Sequence, residues 1–468
     1  MSQLSDYTPF SFNADQDIAA LLLQAFVHES KHNVFILKGH AGTGKTMLAG
    51  TLIKYLDSLN IPLVLLASTG RAAKIVSEKA GCMAETVHRH IYELDVEEND
   101  DENKIRRLVF RPRSNTAKEN TVYIVDESSM ISDHFTQGVF IDFGTGKLLT
   151  DFFRFTGNRK VIFLGDPCQL PPINTLFSPC FKEEYLYKNF GKSVNQVNLT
   201  KVMRFGDNSG ISFNTQRLRE TIASATFPYM KIKASGFSDI RVASGIDKMI
   251  SDYVLSIHKV GVDNAIFLTY TNALALDINV RTRNLLFPGK IHIQKNELLM
   301  VVQNNYKYNL ANGEHIVVTD VSNETEHRAG LTFLKISASF NDSDGCKIFT
   351  AFIIEDLLYS NAPSLDMEQE YNLYVDFIIR MKKVNITPRH PDFVSFIVAD
   401  PYLNALRVKY GYAITCHKAQ GGEWNDVYIA LEKALFNPTA KENTFRWTYT
   451  AISRCISRLS LSPNLCIT

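Results

Sequence analysis

Gly39-His40-Ala41-Gly42-Thr43-Gly44-Lys45-Thr46 follows directly on the apolar run Asn33-Val34-Phe35-Ile36-Leu37-Lys38. The eight residues fit G-x-x-x-x-G-K-[ST] in the setting that gives the pattern meaning, after a buried strand and before a helical periodicity. Glycines let the backbone wrap a phosphate chain, whose charge meets N–H groups and the dipole of a helix N-terminus. In such a loop Gly39, Gly42, Thr43 and Gly44 shape the cradle, Lys45 reaches the β- and γ-phosphates, and the Thr46 hydroxyl ligates Mg²⁺. The stretch therefore predicts an α/β fold that takes a nucleoside triphosphate.

Outward from the loop, short apolar runs recur at 34–37, 63–67, 122–125 and 161–164, then at 266–270 and 427–431, with helical stretches between them. Strands alternating with helices predict parallel sheets covered on both faces. The first four runs make one sheet and the last two belong to a second. The chain between 272 and 427 is far too long for one crossover, so something is inserted there. From 296 to about 356 it breaks into strand-like bursts with Asn-Gly at 312–313 and Asp-Gly at 344–345, the pattern of a small antiparallel barrel or hairpin stack. Residues 364–383 read as a helix whose Leu365, Tyr371, Tyr374, Ile378 and Met381 face a core. A smaller insertion, with strand-like 91–96 and 105–113 around the acidic run 97–103, reads as a long hairpin with a solvated tip. Arg106, Arg107, Arg111 and Arg113 on its returning strand either face phosphates or neutralise that tip.

Composition narrows the class. The 468 residues imply about three or four compact units, and 45% hydrophobic with 21% charged residues describes a globular protein. No apolar stretch approaches the ~20 residues of a membrane helix, and the first residues lack the pattern of a signal peptide. The seven cysteines are scattered, with no C-x-x-C pair. This argues against structural zinc or a disulfide framework and for a reducing cytoplasm. The net charge of +1 confines any nucleic-acid path to a local groove rather than a basic face.

Two further strand ends carry chemistry. Val122-Tyr123-Ile124-Val125-Asp126-Glu127 ends in two acids. Beside a phosphate loop the first can hold Mg²⁺ through water, and the second can orient or deprotonate an attacking water. Taken alone, Asp-Glu is as easily a helix start. Val161-Ile162-Phe163-Leu164-Gly165-Asp166-Pro167-Cys168-Gln169-Leu170-Pro171-Pro172 runs into a loop where Gln169 can donate to a γ-phosphate oxygen, though the same residues also read as a Pro-rich stop.

Taken in order, the motifs resemble the superfamily 1 DNA helicases of the RecD/Dda-like branch. Phe12-Asn13-Ala14-Asp15-Gln16 looks like the adenine-reading Q motif, and Ala67-Ser68-Thr69-Gly70-Arg71-Ala72-Ala73-Lys74 and Glu85-Thr86-Val87-His88 look like single-strand contact motifs. Leu199-Thr200-Lys201-Val202-Met203-Arg204 resembles the segment bearing the first arginine finger. Thr271-Asn272 with Asn279 and Arg283 resembles the start of the second motor domain. Residues 410–423 are similar to motif V, and Tyr449-Thr450-Ala451-Ile452-Ser453-Arg454 to motif VI. The resemblance spans residues 12 to 461.

It implies two tandem RecA-like P-loop domains. The first occupies 1–90 and 119–206 around a β-hairpin pin at 91–118. The second occupies 207–295 and 409–468 around a β-barrel and helical insertion at 296–408. It implies ATP and Mg²⁺ as cofactors, with Gln16, the P-loop residues and Glu423 binding ATP, and Lys45, Glu127, Gln169, Arg204 and Arg454 in catalysis. Thr46, and Asp126 through water, would hold the metal. Thr69, Arg71, Thr86, His88, Asn272, His417 and Lys418 would contact DNA, and Phe110 is a candidate wedge on the pin. The implied activity is ATP-driven 5′→3′ translocation on single-stranded DNA and unwinding at single/double-strand junctions, within replication, repair or recombination. The compact phage-type form is expected, without extra N-terminal domains, nuclease motif or membrane contact. One chain carrying both arginines need not assemble to work, and protein partners go unidentified. Competing readings are an RNA-directed or RNP-remodelling motor, and a nucleic-acid-binding ATPase switch that does not unwind.

Overall fold

The computed structural model describes residues 3–96, 108–136, 141–203, 208–305, 307–342, 345–437, 439 and 441–468. The acidic run at 97–103, Arg106, Arg107 and Arg204 lie outside them. Six parallel strands form the first sheet, in the order Ala84–Thr86, Leu63–Ala67, Val122–Asp126, Lys160–Gly165, Val34–Gly39, Val194–Leu199. The apolar runs at its centre are buried on both faces, as helix-covered parallel strands must be. The P-loop strand lies beside the strand that ends at Gly165, so their following loops share one edge of the sheet.

A second parallel sheet orders Ile240–Val242, Cys455–Leu461, Trp424–Ile429, Ala265–Thr269 and Ala413–Thr415. Between Ala265–Thr269 and Ala413–Thr415 stands the insert, an antiparallel sheet of Gly345–Ile354, Leu331–Asp342, His315–Arg328, Leu298–Val301 and Val408–Tyr410. It closes on itself. The Leu406 N–H donates to the Phe352 carbonyl (2.7 Å) and the Ile354 N–H to the Leu406 carbonyl (3.2 Å), so one strip of chain joins both edges. Helix Met367–Lys383 packs against this barrel through Leu373 and against helix Phe393–Ala399 through Tyr374 and Phe377, whereas Tyr371 faces solvent.

The smaller insertion is more than a hairpin. Tyr92–Val96 and Leu108–Pro112 pair antiparallel, and Ile141–Phe143 joins Leu108–Pro112 in parallel, making three strands. Sequence reading missed the third because its partner is reached only through a strand of the main sheet. Phe110 is buried and stacks on Phe143, with ring centroids 4.9 Å apart, so it is a core residue of this sheet and does not project as a wedge.

The barrel is tied to the second domain by a buried ion pair. Arg283, on helix Asn272–Leu286, donates from Nε to both Glu297 carboxylate oxygens at 3.0 Å and from Nη2 to Oε1 at 2.8 Å. Its remaining donors reach the carbonyls of Lys290 and His292. Asn279 on the same helix bridges the N–H and carbonyl of Ala413. Arg283 and Asn279, singled out by the family resemblance, thus have structural partners. Glu297→Ala leaves a buried guanidinium uncompensated and should cost about 3–5 kcal/mol, read as an earlier urea transition, whereas Arg283→Met with Glu297→Leu should recover most of that loss.

Candidate nucleotide site and domain seam

Strand Val34–Gly39 hands the chain to the loop, and helix Lys45–Ser58 takes it up with Gly44 as its N-cap. Gly42 and Gly44 both take positive φ, 79° and 89°, where only glycine is unstrained. A Cβ on Gly44 would stand 2.5 Å from Gln16 Nε2. Gln16 is buried at the start of helix Ala14–His28. Its Oε1 accepts from Asn13 N–H in a capping box, and its Nε2 donates to the Thr43 carbonyl at 3.1 Å. Lys45 lies over the loop, its Nζ donating to the carbonyls of Gly39 (2.6 Å) and His40 (3.0 Å). Thr46 follows at the first turn of the helix.

Asp126 and Glu127 end the neighbouring strand. Glu127 has φ 49°, a left-handed conformation that costs a side-chain-bearing residue roughly 1–2 kcal/mol. The turn directs its carboxylate inward, where Oε2 is buried without a hydrogen bond. Burial pushes the Glu127 carboxyl up to about 7, with Arg454 opposing the rise and Asp126 adding to it. Burial also raises Asp126, while a hydrogen bond from the Glu127 N–H and the charge of Lys45 oppose the rise. Gln169 Oε1 is likewise buried without a partner. Orphaned buried acceptors carry a real free-energy cost, which a ligand or water bound beside them would relieve. Two buried carboxyls and a threonine hydroxyl are hard oxygen donors of the kind Mg²⁺ prefers, and the residues present fit that ion.

The loop after Gly165 runs into the second domain. Tyr449 Oη donates to Asp166 Oδ2 at 2.5 Å, and Arg446 Nη1 donates to the carbonyls of Pro167 (2.6 Å) and Gln169 (3.3 Å). The Leu170 N–H donates to Thr450 Oγ1 (3.0 Å), and Gln420 Nε2 to the Leu170 carbonyl (2.9 Å). Cys168 and Leu170 are buried within the second domain's core cluster. On the other side His40 Nδ1 lies 3.4 Å from Asp166 Oδ1. Burial would raise the Asp166 carboxyl, but His40, Lys45 and Tyr449 together hold it down at about 2.

Arg454 is buried in the second domain, donating to the carbonyls of Thr450 and Gly422 and to Ser453 Oγ. Its charge acts on Glu127 without a direct ion pair among the described residues. Glu423 spans the seam, 3.5 Å from Lys79 Nζ. Lys45, Asp126, Glu127, Gln169 and Arg454 thus share one neighbourhood, with Gln16 behind the loop.

The strand-contact candidates divide. Thr69 and Thr86 are N-caps, each accepting from the N–H three residues on, which leaves each hydroxyl proton free beside a positive helix end. Both segments border a cavity of about 290 Å³ between the first domain and the barrel, with Lys74, Arg89, Asn304 and Asn309 around it. Arg71 lies in the seam, its guanidinium 4.1 Å from the Trp424 ring and its Nη1 3.4 Å from His315 Nδ1. His88 packs edge-on to Phe143, and burial lowers it to about 4, so it is a neutral ring. Asn272 and Lys418 line a second small cavity together with Lys409. Burial and the charge of Lys409 lower Lys418 to about 8, and burial lowers His417. Trp424, His315, Lys409, Gln420, Arg446 and Tyr449 went unassigned in the sequence. Several lie inside the quoted motifs, but only the fold shows what they touch.

Comparison with known proteins agrees with this geometry. The AAA domain family matches residues 12–231, and the UvrD-like helicase C-terminal domain matches residues 410–461. The chain is 25% identical over 461 residues to the uncharacterised protein MJ1519 of Methanocaldococcus jannaschii, covering 93% of this chain and 37% of that protein. It is 22% identical over 432 residues to the ATP-dependent RecD2 DNA helicase of Deinococcus radiodurans, covering 91% of this chain and 46% of that one. It thus spans well under two thirds of either relative. Among solved structures, the Pif1 helicase from Bacteroides in complex with ADP-AlF3 and ssDNA is 15% identical, covers 96% of this chain and 92% of its own, and gives a TM-score of 0.46. The two matched families thus follow one another along the chain, an AAA domain bearing the P-loop and then a UvrD-like helicase C-terminal domain, and the loop after Gly165 bonds the one to the other.

Proposed function

We propose that this chain is an ATP-dependent DNA helicase that moves 5′→3′ along single-stranded DNA and opens duplex at a junction. The observation that carries the reading is the pair of buried, unpartnered acceptors, Glu127 Oε2 and Gln169 Oε1, beside a P-loop and on a loop bonded to a second domain. Glu127 would take the proton of the attacking water. Lys45 would leave the carbonyls of Gly39 and His40 for the phosphates, and Arg454, with Arg204, would offset charge that grows in the transition state. Thr46 and Asp126 would hold Mg²⁺, which neutralises phosphate charge. Loss of the γ-phosphate would free Gln169, and the bonds from Asp166 to Leu170 would pass that change to Tyr449, Thr450 and Gln420, a ligand-biased hinge.

DNA rather than RNA rests on the motif resemblance and on the RecD2 relative. Thr69, Thr86, Asn272 and Lys418 suit backbone contacts, which position a strand without reading its sequence. Arg71, between Trp424 and the barrel's His315, would join that path to the segment bearing Glu423. Among the described residues no helix is long and apolar enough to cross a membrane. We assign the chain to the cytoplasm, where its seven free cysteines would stay reduced.

Three outcomes test the reading. Lys45→Ala should lower DNA-stimulated ATP turnover by about 10²–10³ with the thermal transition unchanged, and retained turnover would contradict it. Because the Glu127 carboxylate is the competent base and its pKa is about 7, kcat/KM for ATP should fall about tenfold per unit below pH 7. Glu127→Gln should remove that acid limb along with most of the activity. Finally, 5′-tailed duplex should be unwound and 3′-tailed duplex left intact, with DNA oligomers stimulating the ATPase more than RNA of equal length.

A further inference from the structure

A cavity of about 610 Å³ is lined in part by His40, from the P-loop, and by Cys168. Both domains line it. Lys38 and Lys182 come from the first, and Arg219, on helix Gly210–Ser224, and Arg446 come from the second. Among the described residues the side chains of Lys182 and Arg219 have no hydrogen bond or ion pair. Lys38 has only the neutral Gln196 Oε1, at 2.7 Å. Burial, and then the charge of Lys182, lower the Lys38 ammonium, with Glu183 opposing. The acids in the lining are already engaged. Glu442 pairs with Arg446 at 2.8 Å, and Glu220 accepts from Gln216 at 2.9 Å. The cavity therefore holds cations in excess of the acids available to neutralise them.

His40 belongs to both spaces. It lines the cavity, and its carbonyl accepts from Lys45 Nζ at the P-loop. Cys168 lines the same wall one residue before Gln169, and Arg446 holds the carbonyls on either side of Cys168. If ATP is cleaved at this P-loop, the diphosphate still fills the loop, and the freed phosphate sits at its closed end. A dianion in that position needs a way out that does not pass the diphosphate. We propose that this cavity is a binding and exit site for the inorganic phosphate produced at the P-loop, which Lys38, Lys182, Arg219 and Arg446 draw out of the loop. Two of these cations belong to each domain, so the site is complete only while the seam is closed, and opening weakens the hold. The inference rests on the ATPase reading and adds the route by which product leaves.

The test uses the full chain with single-stranded DNA and compares it with the Lys182→Gln/Arg219→Gln double variant. Neither residue belongs to the cleavage machinery. Quench-flow reads cleavage, and a fluorescent phosphate sensor reads release. Cleavage should stay within about twofold, while release slows about tenfold and added inorganic phosphate inhibits about tenfold less well. Release that is unchanged or faster with cleavage intact overturns the proposal. Calorimetric titration of inorganic phosphate into the ADP-saturated protein gives a second readout: affinity should drop in the double variant, and equal affinity overturns the site. A chain that cleaves no ATP sinks the ATPase reading instead, and the titration then decides the cavity alone. Should the double variant fail to fold, Lys182→Gln, at an exposed position, carries the same readouts with a smaller change.

Discussion

The loop from Asp166 to Leu170 is the joint on which this molecule depends. It leaves the first sheet beside the P-loop strand, yet Cys168 and Leu170 are buried in the second domain's core. Tyr449, Thr450, Gln420 and Arg446 hold it from the second domain, and His40 touches it from the first. Buried polar groups are costly when unpaired, so each of these bonds opposes parting of the domains. Whatever moves Gln169 must move this set together. A change at the P-loop that reached Gln169 would be passed through these bonds to the second domain.

Electrostatics sets the terms on which the joint operates. Three carboxyls stand close together at the ends of adjacent strands, and the protein treats them differently. Asp166 is held ionised by His40, Lys45 and Tyr449. Glu127, strained and with one oxygen unpartnered, is pushed towards neutral by burial. Environments that drive neighbouring pKa values apart are how one fold assigns separate roles to like groups. Arg71 on Trp424 and the buried Arg283–Glu297 pair act at the barrel, where long cationic side chains fix how the insertion sits against the two sheets.

Much of this could be read from the chain. The strands around 34–37, 63–67, 122–125 and 161–164 share one sheet because continuous apolar runs between helices have few other solutions. The Asn-Gly and Asp-Gly turns pointed to an antiparallel insert. Less was legible at the edges. Val194–Leu199, half polar and at the rim of its sheet, carries no apolar run to mark it. Ile141–Phe143 is too short to show a period. Phe110 looked like an aromatic free to act at a tip, but its stacking partner Phe143 comes from a strand that the sequence did not reveal.

The sequence by itself determined the phosphate loop, the two acids and the order of the motifs. Those features are local: a glycine spacing, a strand end and a helix start act through neighbours a few residues away. What only the tertiary structure decided is which groups speak to one another across the seam. Tyr449 meets Asp166 over a separation of 283 residues and Gln420 meets Leu170 over 250, and nothing in either segment names its partner. Packing also turned His88 inward and set Arg71 on Trp424, and it enclosed unpaired cations around a cavity. Burial and charge there are sums over atoms from distant parts of the chain, and they exist only once it has folded.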